Sequence, residues 1–157
     1  MLRITLEDPT GRRPNIGLRH RYERRLFLRA NYLRVESSVP GNGPPAEGEL
    51  RFRFRGWFSR QRASLSWKQP VVGGDEWLRR LEEPLRACVE HVEAVQSLEI
   101  RWSSRAAMWR VALETLSGSM MSGITSFLPI AVAFDKKEAE GIIALIDALA
   151  ATRSRHG

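Results

Sequence analysis

Apolar and polar residues alternate most regularly in two neighbouring stretches, Leu50–Arg55 and Arg62–Lys68. Successive side chains of a strand point to opposite faces, so this pattern predicts an antiparallel hairpin with one apolar and one cationic face. We expect Phe54 to lie opposite Leu65. A slip of one residue would turn the arginines toward the core, so the pattern constrains the register.

A second predicted hairpin covers Ser97–Leu116. Apolar residues alternate on both sides of a short polar break, and the register that aligns their faces sets Ile100 opposite Trp109. The same register sets Glu99 opposite Arg110. An opposite-charge pair across two strands stabilises a sheet by roughly 0.2–1 kcal/mol, so the charge pattern supports this alignment.

Helical spacing replaces alternation in two other stretches. Leucines and valines recur every three or four residues over Glu76–Gln96, which predicts a helix that begins near Asp75 and breaks or kinks at Pro84. A second helix should begin at Asp135, because Glu138 three residues later completes a capping box. Its predicted buried stripe comprises Ala139, Ile142, Ile143, Ile146 and Leu149.

Further strands complete the predicted sheet. Aromatic and β-branched residues favour a strand over Leu26–Glu36, although helix within residues 22–36 stays an alternative. We expect the Gly- and Pro-rich segment Val39–Gly48 to join this strand to the one that begins at Leu50, as a wide hairpin. Leu128–Phe134 is predicted to be a buried strand.

The stretch Thr115–Phe134 contains no charged residue, and its length would suffice for a membrane-spanning helix. Its serines, threonines, glycines and Pro129 argue against a span. We instead predict a loop over Ser117–Phe127. Methionine adapts to irregular surfaces, which makes this segment a candidate partner-binding loop. Its apolar residues are Met120, Met121, Ile124 and Phe127.

These elements predict a single α+β domain over residues 1–157. Their order is βββα-βββα, with about six strands in one antiparallel sheet and two helices packed on one face. The two halves, about residues 26–96 and 97–152, resemble each other in element order. We expect residues 1–17 and 152–157 to be mobile.

The chain carries a net charge of +7 that is unevenly distributed. Residues 1–68 contain 15 lysines and arginines against 6 acidic residues, whereas residues 69–157 contain 10 against 12. Such an imbalance indicates an anionic partner, which can be nucleic acid, an anionic membrane or an acidic protein. The competing explanation is genomic: 22 of the 25 basic residues are arginine, as a GC-rich genome would produce without selection for binding.

Catalytic chemistry finds little support in the sequence. No serine lies in a Gly-x-Ser-x-Gly elbow, and the glycines of Gly118–Gly123 lack the lysine of a phosphate-binding loop. Cys88 and His91 fall short of the three protein ligands that zinc needs. We therefore predict no metal or cofactor and lean away from an enzyme. A single cysteine and no amino-terminal apolar run favour the cytoplasm.

The cationic face of the Leu50–Lys68 hairpin is the sharpest candidate site. Its predicted anion- or nucleic-acid-binding residues are Arg51, Arg53, Arg55, Arg60, Arg62 and Lys68. Strand arginines can contact phosphates, whereas most aromatic residues alternate to the other face, so we expect salt-sensitive and sequence-tolerant binding. Two alternatives stay open. One is an interaction module that docks an acidic protein or forms a homodimer. The other is a carrier with an apolar cavity lined by Trp67, Trp102 and Trp109.

Overall fold

A computed structural model describes residues 3–6, 16–25, 28–55, 62–90, 95–123, 130–131, 133 and 135–153. In this part of the chain, eight antiparallel strands form one sheet. The strands are β1 (Arg3–Leu6), β2 (Ile16–Arg25), β3 (Leu28–Pro40), β4 (Gly48–Arg55), β5 (Arg62–Trp67), β6 (Val95–Ser103), β7 (Met108–Gly123) and β8 (Ile130–Ala131). The helices are α1 (Gly74–Glu90) and α2 (Lys136–Ala150), and a 3-10 turn (Ala151–Arg153) follows α2.

The strand order is β1-β2-β3-β7-β6-β4-β5, and β8 pairs with the last part of β7. The predicted α+β class, with one antiparallel sheet and two helices, is confirmed. The sheet is wider than the expected six strands because β1 and β2 extend it beyond β3. Strands of the two predicted halves are interleaved, since β7 lies beside β3 and β6 lies beside β4.

One face of the sheet forms the hydrophobic core with both helices. Every second residue is buried from Leu33 to Val39 in β3, and from Trp109 to Thr115 in β7. The buried helix residues join the same apolar cluster. They are Leu81 and Leu85 in α1, and Ile142, Leu145, Ile146 and Leu149 in α2. Alternation in the strands therefore meets a helical stripe across a single core.

The register of both hairpins differs from the prediction by two residues. Phe52, not Phe54, lies opposite Leu65, and Val111, not Trp109, lies opposite Ile100. A shift of two keeps every side chain on its predicted face, so alternation cannot detect it. The turn between β6 and β7 sets the register of the second hairpin. Residues 104–107 form this turn, and Ala107 adopts a positive φ of 48°. The expected cross-strand pair of Glu99 with Arg110 is therefore wrong.

Three element predictions also need correction. Strand β3 pairs with β2 and β7, so the wide hairpin from β3 to β4 is wrong. Strand β7 continues to Gly123, so residues 117–123 form strand and not loop. Helix α1 runs unbroken through Pro84 and has ended before β6 begins at Val95, which places Gln96 in a strand. Proline removes one helical hydrogen bond, and continuous packing of Leu81 and Leu85 on the core offsets that loss.

The start of α2 is as predicted. The Asp135 carboxylate accepts hydrogen bonds from the backbone N–H groups of Lys137 and Glu138. The backbone N–H of Asp135 donates to Glu138 Oε2 at 3.1 Å. This reciprocal capping box satisfies N–H groups that have no partner within the helix. The buried stripe includes Leu145, which the prediction lacked, whereas Ile143 is only partly buried.

Two tryptophans fix the loop that follows β3. The Nε1–H of Trp102 donates to the carbonyl of Pro44 at 2.7 Å, and that of Trp109 donates to the carbonyl of Asn42 at 3.0 Å. The two indole rings lie 4.9 Å apart between centroids, tilted by 43°. The loop approaches them closely: a Cβ added to Gly43 would lie 2.4 Å from ring carbons of Trp102.

Replacing Gly43 should therefore destabilise the fold. In Gly43→Ala, the new methyl group overlaps a buried indole ring, and displacing the ring or the loop should lower the free energy of unfolding by about 1–3 kcal/mol. Urea denaturation measures this change. Gly17→Ala is the matched control, because its Cβ would make only an ordinary contact of 3.6 Å with the carbonyl of Glu36. Equal stability of the two variants would contradict the proposed packing.

Candidate anion-binding face

The sheet face opposite the helices is lined by charged side chains, and we call it the open face. Residues on it alternate along each strand with the core residues. The arginines whose side chains the structure describes here are Arg19 and Arg21 of β2, Arg34 of β3, Arg51 of β4, Arg101 of β6 and Arg110 of β7. The glutamates with described side chains are Glu36, Glu49, Glu99 and Glu114.

Glu114 is the most deeply placed charge on the open face. Its side chain is 7% exposed, and it lies in β7 opposite Arg34 of β3. Arg34 Nη1 donates to Glu114 Oε1 at 2.8 Å. Arg21 Nη1 donates to both carboxylate oxygens, at 3.0 and 3.1 Å. A carboxylate at this depth would be costly without such partners, so the two guanidinium groups are part of the fold.

Glu36 continues this network toward the edge of the sheet. Arg34 Nε donates to Glu36 Oε1 at 2.9 Å, so Arg34 bridges two carboxylates. Arg19 pairs with the other oxygen of Glu36 at 3.2 Å. The Nε of Arg19 is buried without a hydrogen-bond partner. Strands β2, β3 and β7 are thus tied together on the open face by ion pairs as well as by their backbone ladders.

The pKa values of the central pair reflect this arrangement. Burial raises the pKa of Glu114, but the hydrogen bonds from Arg34 and Arg21 outweigh it, and the pKa lies below its usual range. Burial lowers the pKa of Arg34, and the bonds to Glu114 and Glu36 outweigh that effect and raise it. Both groups therefore stay charged at neutral pH.

In the other half of the open face, the ion pairs are longer and more exposed. The distance from Arg101 Nε to Glu49 Oε2 is 3.5 Å, and that from Arg101 Nη2 to Glu99 Oε2 is also 3.5 Å. Lys68 Nζ lies 3.2 Å from Glu49 Oε1. Directly opposite Arg101 across the β6–β7 ladder lies Arg110, a second cation. Like charges at opposed positions destabilise a sheet.

Among the open-face cations whose side chains the structure describes, Arg51 and Arg110 remain available. Both side chains are exposed, and within the described chain neither pairs with a carboxylate. The four glutamates with described side chains on this face are all engaged with other cations. The strand positions of this face also include Arg53 and Arg55 of β4 and Arg62 of β5, so arginines outnumber glutamates on it.

A concavity of about 640 Å³ opens on this face. Its floor includes Gly17 and Ala112, which have small or no side chains, and charged residues surround them. The surrounding residues are Arg34, Glu36, Ser38, Glu99, Arg101 and Arg110. Two small residues, in the strands on either side of β3, therefore leave a depression with positive and negative groups around it.

The structure describes only some of the side chains of the site that the sequence predicts. Arg51 is exposed and lies opposite Ser66, and Lys68 is held by Glu49. Arg53 lies opposite Ser64 and Arg55 opposite Arg62 in the β4–β5 ladder, and Arg60 falls outside the described residues. Met120 and Met121 belong to strand β7, where they pair with Asn31 and Ala30, and Ile124 and Phe127 lie outside the described residues.

Sequence reasoning missed the arginines of β2 and their glutamate partners. The signal was present: Ile16 and Leu18 alternate with Gly17, Arg19 and Arg21. A dense run of arginines obscured this alternation. The role of Glu114 could not be found from its own neighbourhood, because its partners lie 80 and 93 residues away in the chain.

The fold and the open face define a small α+β domain with a charged sheet surface. The chain belongs to DUF3156, a family of proteins of unknown function, whose model matches residues 1–154. Comparison with curated proteins gave no match, and neither did comparison with solved structures.

Two observations concern other kinds of site. In the described part of the chain, no three of the histidine, cysteine, aspartate and glutamate side chains are grouped to hold a metal ion. None of the described helices has the length and apolar character needed to cross a membrane.

Acid should weaken the fold through Glu114. Because its folded-state pKa is lowered, its contribution to stability is complete above the unfolded-state pKa, about 4.3, and is lost as pH falls through the folded-state value. Glu114→Gln leaves two arginines with a weaker acceptor and should cost about 1–3 kcal/mol at pH 7. Urea denaturation from pH 7 down to about pH 3 should show this difference shrinking.

Glu99→Gln is the control for this measurement. The Glu99 side chain is 41% exposed and lies 3.5 Å from Arg101, so its loss should cost no more than about 1 kcal/mol. A Glu114→Gln penalty that stays constant across the pH range would show that the carboxylate charge contributes nothing.

Proposed function

We propose that this domain binds nucleic acid through its open face, by contacts to phosphate groups. The observation that carries the proposal is the charge balance of that face. The glutamates described on it are already engaged, and Arg51 and Arg110 present exposed guanidinium groups that pair with no carboxylate of the described residues. Guanidinium groups bind phosphate oxygens bidentately, and protein–phosphate contacts supply most of the affinity in sequence-tolerant binding.

The distribution of aromatic residues supports phosphate contact over base recognition. Trp102 and Trp109 are buried on the helix side of the sheet. Trp67 also uses its indole N–H internally, donating to the carbonyl of Gly74 at 2.8 Å. These three indoles pack in the core and are not available to stack on bases. Their packing likewise favours a structural role over the lining of a ligand cavity, which weakens the carrier alternative.

The mixed charges of the face imply modest affinity. About three phosphate contacts on a single strand would give a slope of log K against log salt near −2. Binding to labelled single-stranded RNA or DNA should then weaken roughly 20-fold between 50 and 200 mM salt. The domain is expected to bind many sequences with similar affinity, because phosphate contacts carry no sequence information.

Charge reversal on the open face should abolish this binding. In Arg51→Glu/Arg110→Glu, two free cations become anions, and fluorescence anisotropy should show little binding even at 50 mM salt. The matched control is Lys136→Glu/Lys137→Glu, which makes the same change in net charge on exposed side chains of α2.

Either of two results would overturn the nucleic-acid proposal. One is the absence of binding by the unaltered protein at the lowest salt. The other is an equal loss in the helix variant, which would show that only total charge matters. An arginine-dependent interaction with an acidic protein, without nucleic-acid binding, would favour the interaction-module alternative.

A further inference from the structure

We propose that the concavity of the open face receives one ribonucleotide unit, with its phosphate on Arg101 and Arg110 and a ribose hydroxyl on Glu99. This inference rests on the proposed function and makes it more specific, since it names RNA as the preferred nucleic acid. It depends on three features of the concavity: an opposed arginine pair, a nearby carboxylate with spare acceptor capacity, and a small-residue floor.

The arginine pair provides the phosphate position. Arg101 and Arg110 are directly opposed in the β6–β7 ladder, and both line the concavity. Opposed side chains have Cβ atoms about 4.5–5.5 Å apart, so two guanidinium groups can contact one phosphate between them. A bound phosphate would also remove the repulsion between the two cations. Ser38, opposite Arg110 in β3, adds an exposed hydroxyl donor at the same place.

Glu99 provides the acceptor for a hydroxyl group. It lies two residues from Arg101 along β6, a distance of roughly 7 Å that the phosphate and sugar of one nucleotide can cover. Its side chain is 41% exposed, and its ion pair with Arg101 is long at 3.5 Å. An ionised carboxylate has about four lone-pair sites, so Glu99 can accept further hydrogen bonds.

Glu36, across the floor of the concavity, is less suited to this role. It is already bonded to Arg34 at 2.9 Å and paired with Arg19 at 3.2 Å. Glu99 and Glu36 flank Ala112 from the two neighbouring strands. The sugar would lie over Ala112, where the absence of a long side chain leaves room.

The size of the concavity agrees with this occupant. Its volume of about 640 Å³ lies within the range of small-molecule sites, roughly 300–1,000 Å³. The 2′-hydroxyl is the group by which a protein can distinguish RNA from DNA at one position. A carboxylate that accepts from it would therefore give a preference for ribose over deoxyribose.

NMR titration of the full chain tests the proposal with three probes: AMP, deoxy-AMP and inorganic phosphate. All three should shift the side-chain Nε–Hε signals of Arg101 and Arg110. AMP should bind roughly 3- to 10-fold more tightly than deoxy-AMP, the ratio expected from one added hydrogen bond. Arg110→Gln should lower the affinity for all three probes, whereas the surface control Lys136→Gln should leave all three affinities unchanged.

Glu99→Gln separates the ribose contact from general electrostatics. Removing a negative charge should strengthen phosphate binding overall, but the ratio of the AMP and deoxy-AMP affinities should fall toward 1. Circular dichroism of each variant confirms that it remains folded. Equal affinity for the two nucleotides in the unaltered protein would overturn the ribose assignment, and unshifted arginine signals would overturn the site.

This experiment is independent of the oligonucleotide assay. If oligonucleotides bind in an Arg51-dependent manner but AMP leaves Arg110 unshifted, the further inference fails and the proposed function stands. If AMP binds at Arg110 with the ribose preference but no oligonucleotide binds, nucleic-acid binding fails, and the site is one for a free ribonucleotide.

Discussion

The ion pairs that join Glu114 to Arg21 and Arg34 hold the centre of the open face together. A carboxylate that is 7% exposed requires compensating charge, because its desolvation would otherwise cost several kcal/mol. The compensation comes from β2 and β3, so the positions of three strands are linked by one side chain. Arg21 and Arg34 are consequently committed to the fold, and the cations available to a partner are those at the other end of the face.

The strand order also decides which acidic residues lie among the arginines of the open face. The first 68 residues are strongly basic and the rest of the chain is slightly acidic. The sheet order places β7 and β6, from the acidic part, between β3 and β4, from the basic part. Glu114 and Glu99 are thereby brought among the arginines, and they offset part of the positive charge that the basic half of the sequence contributes to the face.

Alternation predicted the fold class and the two sides of the sheet, because burial acts on each strand locally. It could not predict register beyond a multiple of two, since Phe54 and Phe52 are equally acceptable partners for Leu65. The proposed pair of Glu99 with Arg110 followed from that uncertainty, and the turn around Ala107 places Arg101 there instead. Local opposite-charge patterns are weak guides when a turn conformation can overrule them.

The order of strands in the sheet also could not be predicted from the sequence. Nothing in Val39–Gly48 indicates that the chain passes from β3 to the opposite side of the β6–β7 pair before it enters β4. The loop makes this passage by packing its glycines and carbonyls against Trp102 and Trp109. Arg51 was predicted correctly as an exposed strand arginine, whereas its surroundings depend on β6, which lies 44 or more residues later.

We infer that carboxylates on the open face decide which of its arginines can bind phosphate. The most direct test is the affinity of Glu114→Gln for a labelled single-stranded RNA, measured by anisotropy at several salt concentrations and at pH 7. Removing the charge that holds Arg21 and Arg34 should tighten binding and steepen its salt dependence, because more cations become available. If the folded variant has the same affinity and the same salt slope as the unaltered protein, Glu114 does not control which arginines bind phosphate.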